Sequence, residues 1–222
     1  MNSQTFSRFG VGIAAVVLGF STFAMAGPPM ICHPIAIGQA QSLPWVDLNY
    51  RKGSGNYDLS NLTKDTLAIL DSDTSVLVHM ETLRRATIYA RQDSLVAKEL
   101  IVRLHARAEQ SDDNSRGALA LFDLGYLAET YKQWIGRDEP NPASGVDGYG
   151  LVGQAIRQRG SDAEMEFAAA LITMLSGPEQ DHNDHVQKAI AGAKADPLLA
   201  QNLSSTFRNQ TISALLAHPS AQ

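Results

Sequence analysis

Thiol chemistry is almost missing from this 222-residue chain, whose one cysteine is Cys32. One thiol cannot close an internal disulfide, so outside the reducing cytoplasm the fold must be held by packing. Charge of either sign is also thin and unclustered. Lys and Arg number 18 against 23 Asp and Glu, a net charge of −5. No basic run is present to displace counterions from nucleic acid or anionic lipid, so no nucleic-acid partner is expected. The G-x-S-x-G elbow, the P-loop, the H-E-x-x-H pair and the C-x-x-C-H of covalent haem are all absent. No stretch alternates apolar and polar residues as a half-buried strand would.

Long apolar runs are confined to the start. MNSQTFSRFGVGIAAVVLGFSTFAMA carries Arg8 as its only charge, then an apolar run from Phe9 through Phe23, then Ala24-Met25-Ala26. Small residues at the two positions a signal peptidase reads predict a secretory signal over residues 1–26, with an uncleaved membrane anchor as the alternative. Gly10, Gly12, Gly19 and Pro28-Pro29 work against the long helix an anchor needs. A lipoprotein is not expected, because Cys32 does not directly follow the cleavage site. Cleavage removes Arg8 and no acidic residue, taking the net charge to −6 and leaving 196 residues, enough for one sizeable core or a short solenoid. The expectation is a folded chain with no membrane span after signal cleavage, exported to a periplasmic or extracellular space.

Residues 27–62 show no sustained period. Pro28, Pro29, Pro34 and Pro44 forbid regular helix over much of this stretch, and RKGSGNYD (51–58) reads as a flexible turn. Leu43, Trp45, Val46, Leu48 and Tyr50 are apolar enough to lie against something, so the segment is expected to be an extended N-terminal arm wrapping the body. From 63 to 217 the pattern is helical. Asp73 is the expected N-cap of a helix with Val76, Met80, Leu83, Thr87 and Ala90 on one stripe, and Asp93 or Ser94 caps a second, with Ala97, Leu100, Ile101, Leu104 and Ala108 inward. After Ser115, residues Leu121, Leu124, Ala128, Tyr131 and Ile135 make the most regular stripe, broadened by Leu127 and Trp134. A Pro/Asn/Asp/Gly loop follows at 136–148. Ser161-x-x-Glu164 reads as a capping box for a helix apolar through Ala168–Leu175, expected to be the most enclosed and stopped by Gly177-Pro178. Asp196 with Pro197 opens another, and a short TISALLA (211–217) precedes a frayed tail at 218–222. The expected fold is all-α: antiparallel helical hairpins forming a short α-solenoid, tetratricopeptide- or HEAT-like, or an irregular bundle.

At LALFDLGYLAETY the sequence resembles the first helix of a tetratricopeptide repeat. Leu121, Leu124, Gly125 and Ala128 fall where that family places its large, large, small and packing residues. The resemblance covers one helix and implies a similar architecture, with Gly125 where the next helix crosses closely. The arm together with this helix also resembles exported bacterial helical proteins to which no activity attaches.

Few motifs offer chemistry. GYGLVG (148–153) spells G-x-G-x-x-G, but a Pro/Asn loop precedes it instead of a strand, so it reads as loop entering helix. DSDTS (71–75) starts like a calcium loop, yet its sixth position is Val76 and its twelfth Thr82, so it reads as a helix N-terminus. In QDHNDH (180–185), His182 and His185 share a helix face beside Asp181 and Asp184, a partial divalent-metal set; the plainer reading is a polar first turn capped by Asp181. Cys32 with His33 could complete such a set, or Cys32 could cross-link two copies or act as a redox thiol, or simply pack as a small hydrophobe. His79 and His105 are read as edge or surface positions, and Arg84-Arg85 and Arg103/Arg107 as solvated faces. Asn61, Asn202 and Asn209 open sequons.

These features point to a non-catalytic helical binding or scaffold protein with a protein or peptide partner, contacted by Tyr126, Tyr131 and Trp134, since aromatic anchors dominate interfaces. No cofactor is expected in that reading. The alternatives are a metal- or redox-linked exported protein using Cys32, His33, His182 and His185, or a structural envelope component dimerised through Cys32.

Overall fold

A computed structural model of the chain describes residues 29–46, 53–72, 74–111, 115–135 and 140–207. The predicted leader, Asp73, Asn209, the TISALLA stretch and the frayed tail lie outside the described residues. Everything regular among the described residues is helical. A single turn, α1 (Pro29–Cys32), is followed by irregular chain over the described residues 33–46 and 53–58, a 3-10 turn at Leu59–Asn61, and then α2 (Leu62–Leu70), α3 (Val76–Ala90) and α4 (Ser94–Glu109). Beyond these come α5 (Ser115–Trp134), α6 (Gly148–Arg159), α7 (Ala163–Ser176), α8 (Glu179–Ala193) and α9 (Pro197–Thr206).

Aspartates set most of the helix starts. Asp93, Asp147, Asp162 and Asp196 each accept from backbone N–H groups of the first turn of α4, α6, α7 and α9, satisfying donors that have no partner inside the helix. The expected capping box at Ser161 is not formed. Gly160 (φ 74) and Ser161 (φ 71) both turn left-handed to end α6, so the cap passes to Asp162. Helix α3 starts at Val76 behind Ser75, whose side chain makes no cap bond. Glu164 of α7 supplies the missing acceptor from a distance, taking the Leu77 N–H at 3.1 Å. Helix α8 likewise starts at Glu179, so Asp181 lies inside its first turn and does not cap it.

The core runs through every described helix from α2 to α9. Neighbours in sequence pack together, α2 on α3, α5 on α6 and α7 on α8, while α3 also meets α1, α4, α5 and α7. At the α5–α6 crossing Gly125 faces Gly148; a Cβ on Gly125 would stand 2.6 Å from the Gly148 carbonyl oxygen. The small residue is needed there because two backbones touch. Helix α7 is buried from Met165 through Ile172, but Leu175 at its end is 61% exposed. Helix α3 is the more enclosed: every residue but Arg85 is buried, including five polar ones. The GYGLVG stretch forms the opening turns of α6, with Asp147 capping the Gly150 N–H.

Candidate functional site

Charges inside a core cost several kcal/mol each unless they are paired and fully hydrogen-bonded, so the buried polar residues of α3 must have partners. Glu81, 1% exposed, accepts four donors: Arg84 Nε (2.7 Å) and Nη2 (2.8 Å), Arg85 Nε (2.6 Å) and the Ile35 N–H (2.9 Å). The two arginines spend further N–H groups on backbone carbonyls, Arg84 on Ile31 (3.0 Å) and Arg85 on Leu43 (2.6 Å). Both guanidinium groups lie over the Trp45 ring. The expectation of a solvated Arg84-Arg85 face is therefore overturned, because this pair is turned inward onto residues 31–45. Asn202 of α9 completes the hold, accepting the Ala36 N–H (2.7 Å) and donating to the Ala36 carbonyl (2.9 Å). It is 1% exposed, so as a sequon it is closed to a glycan in the folded chain.

A second chain of polar contacts crosses the body. His79, read from sequence as an edge residue, is fully buried, its Nδ1 2.6 Å from Asp123 Oδ1. Arg107 Nη1 donates to the other Asp123 oxygen (2.5 Å), Nε to Asp71 (3.0 Å) and Nη2 to the Leu70 carbonyl (2.9 Å). This corrects the second solvated pair in part: Arg107 is engaged, at the wall of a cleft of about 760 Å3 that Arg103 and Arg116 also line. His105 is exposed beside Glu109, as its spacing suggested.

The three aromatic contact candidates separate. Tyr126 and Tyr131 are fully buried, and burial pushes both phenols up from their ordinary value. Tyr131 donates to the Ala97 carbonyl (3.1 Å), while the Tyr126 hydroxyl has no partner among the described residues. Trp134 is half-buried on the wall of a cleft of about 500 Å3, with Arg91 over its ring at 4.4 Å. Tyr57 and Tyr89, rings 4.6 Å apart, line the same cleft with Gly53, Ser54 and Gln92. Gly53 is there for space, since a Cβ would run into the Tyr89 ring.

The candidate ligands of a metal are each occupied locally or lie apart from a set. His182 is buried, its Nδ1 3.0 Å from the Ala170 carbonyl and its ring edge-on to Phe207. His185 bridges the buried Glu166 carboxylate (2.5 Å) and the Tyr149 hydroxyl (2.8 Å), with Lys188 3.6 Å from Glu166. Cys32 is a free, half-buried thiol, and His33 Nδ1 sits 3.1 Å from the Pro29 carbonyl. Among the described residues no group of three or more His, Cys, Asp or Glu is arranged to hold a metal ion. Of the polar residues that matter most, Glu81 and Arg84 carry no local motif and fall off the apolar stripe read for α3, and Asn202 was marked only as a sequon. One further carboxyl is displaced. Glu164 is pushed up to about 7, chiefly by desolvation and further by Asp162 and Asp196, against the pull of the Leu77 N–H.

No family model, curated protein or solved structure matches the chain. Among the described residues no helix is long and apolar enough to cross a membrane.

Proposed function

We propose that this is an exported, non-catalytic helical binding protein whose partner, a protein or peptide, docks at the Trp134 cleft. In this reading the body is an irregular bundle and not a solenoid, and residues 27–62 are an arm wrapped on it. Contacts of α7 with α1, α3 and α5 support the bundle, because a solenoid repeat touches only its neighbours. The observation that carries the binding reading is the cleft itself: three aromatic rings and Arg91 around an open volume of about 500 Å3. Trp, Tyr and Arg are the residues that most often anchor an interface. Affinity capture from the exported fraction with the full chain tests it. Wild type should retain a reproducible partner, and Trp134→Ala should lose it roughly thirtyfold in affinity, the scale of a hot-spot truncation of about 2 kcal/mol. No reproducible partner, or one indifferent to Trp134, counts against the proposal. Sequencing of the recovered protein should begin at Gly27.

A further inference from the structure

The hold on residues 29–46 is directed at main chain. Arg84, Arg85 and Tyr89 donate to the carbonyls of Ile31, Leu43 and Pro44; Glu81 and Gln133 accept the N–H groups of Ile35 and Met30; Asn202 does both at Ala36. Between these polar grips Met30, Ile31, Ile35 and Leu43 are buried as apolar anchors. A groove that reads backbone atoms and anchor spacing is satisfied equally by an identical segment from another molecule. One hydroxyl, Tyr89 Oη, donates to the Pro44 carbonyl (2.5 Å) and accepts the Ser54 N–H (2.7 Å), so one side chain bridges the described flanks of the connection.

We propose that residues 29–46 are an exchangeable occupant of this groove, and that the same segment of a second copy takes its place to give an arm-exchanged dimer. Every groove contact is identical in the closed monomer and the exchanged dimer. The equilibrium is therefore set by chain concentration and by the cost of the open connection. Free arms are rare, because release exposes four apolar anchors and takes from Glu81 and Arg84 their main-chain partners at Ile35 and Ile31, so exchange is slow and is found only between copies that open together.

The test uses the full mature chain in a Cys32→Ser background, which removes any disulfide dimer. Two differently tagged preparations are mixed at high concentration and warmed below the unfolding transition. Mixed-tag dimers should form and should be dispersed by excess synthetic peptide of residues 29–46, but not by a scrambled peptide. Tyr89→Phe keeps the ring and removes a hold made alike in monomer and dimer, so it should speed mixed-tag exchange several-fold while leaving the final dimer fraction and the helical circular dichroism unchanged. Should that variant lose its fold, peptide competition on the mixed-tag dimers of the Cys32→Ser chain still decides. Monomer at every concentration, or a dimer indifferent to the peptide, overturns the proposal. Trp134→Ala should leave exchange unchanged, so failure at the cleft and failure at the groove are distinguishable.

Discussion

Replacing Glu164 by Gln should make the protein more stable at pH 8 and leave it nearly unchanged at pH 5. The carboxyl sits half-buried where it accepts the Leu77 N–H, with Asp162 and Asp196 close by, and its pKa rises from the ordinary 4.5 to about 7. The folded state thus holds the proton more tightly than the unfolded chain does. Stability linked to this group is complete below pH 4.5 and is lost as the pH climbs through about 7. A shift of this size corresponds to at most about 3 kcal/mol, and solvent screening of a partly exposed carboxyl reduces that to roughly 1–2 kcal/mol. Glutamine keeps the acceptor for Leu77 and never ionises. Urea unfolding of both proteins at pH 5, 6, 7 and 8 should therefore show the two curves diverging by roughly 1–2 kcal/mol across that range, with the variant the more stable at the alkaline end. Comparison within each pH cancels every other titrating group. Parallel curves, or a variant weaker at pH 8, would refute the account of a buried carboxyl crowded by two others.

Two further substitutions probe the interior. Gly125→Ala gains about 1 kcal/mol of helix propensity but drives a Cβ onto the Gly148 carbonyl, and overpacking of this kind costs about 1–3 kcal/mol or more. We expect a net loss of about 2 kcal/mol by chemical denaturation, and a stabilised variant would show that the two helices separate freely. Tyr126→Phe deletes a buried hydroxyl without a described partner, so the melting temperature should rise by an amount equivalent to about 1 kcal/mol. A fall would reveal a hydrogen bond worth keeping.

The helices were legible where local rules and tertiary demands agree. Helix α4 is one such case: Asp93 caps it, and Ala97, Leu100, Ile101 and Leu104 face inward as their spacing requires. Gly125 was readable too, since a glycine amid large apolar residues on a helix signals close approach. Helix α3 was not, because its inward charges are stabilised by atoms far away in sequence. Arg84 looks like a surface residue until Ile31 and Glu81 are seen around it. The cap at Ser161 failed for a local reason, a left-handed turn at two successive residues. Of the candidate contacts, spacing placed Tyr131 on the apolar stripe and Trp134 at its broadened edge, while Tyr126 was a candidate only as an aromatic anchor. Only the position of Gly53 against Tyr89 and of the helix end near Trp134 decides which of them meets an opening.

Asn202 grips Ala36 across 166 residues of chain. A ribosome makes the two ends of that bond at nearly opposite times, so the earliest-made part of the groove's contents waits for the latest-made part of its wall. Long-range closure of this sort slows folding, because the Ala36 contacts wait for α9 although α3 already holds Ile31, Ile35 and Leu43. The segment that α3 begins to hold is therefore sealed at Ala36 only once α9 has been made.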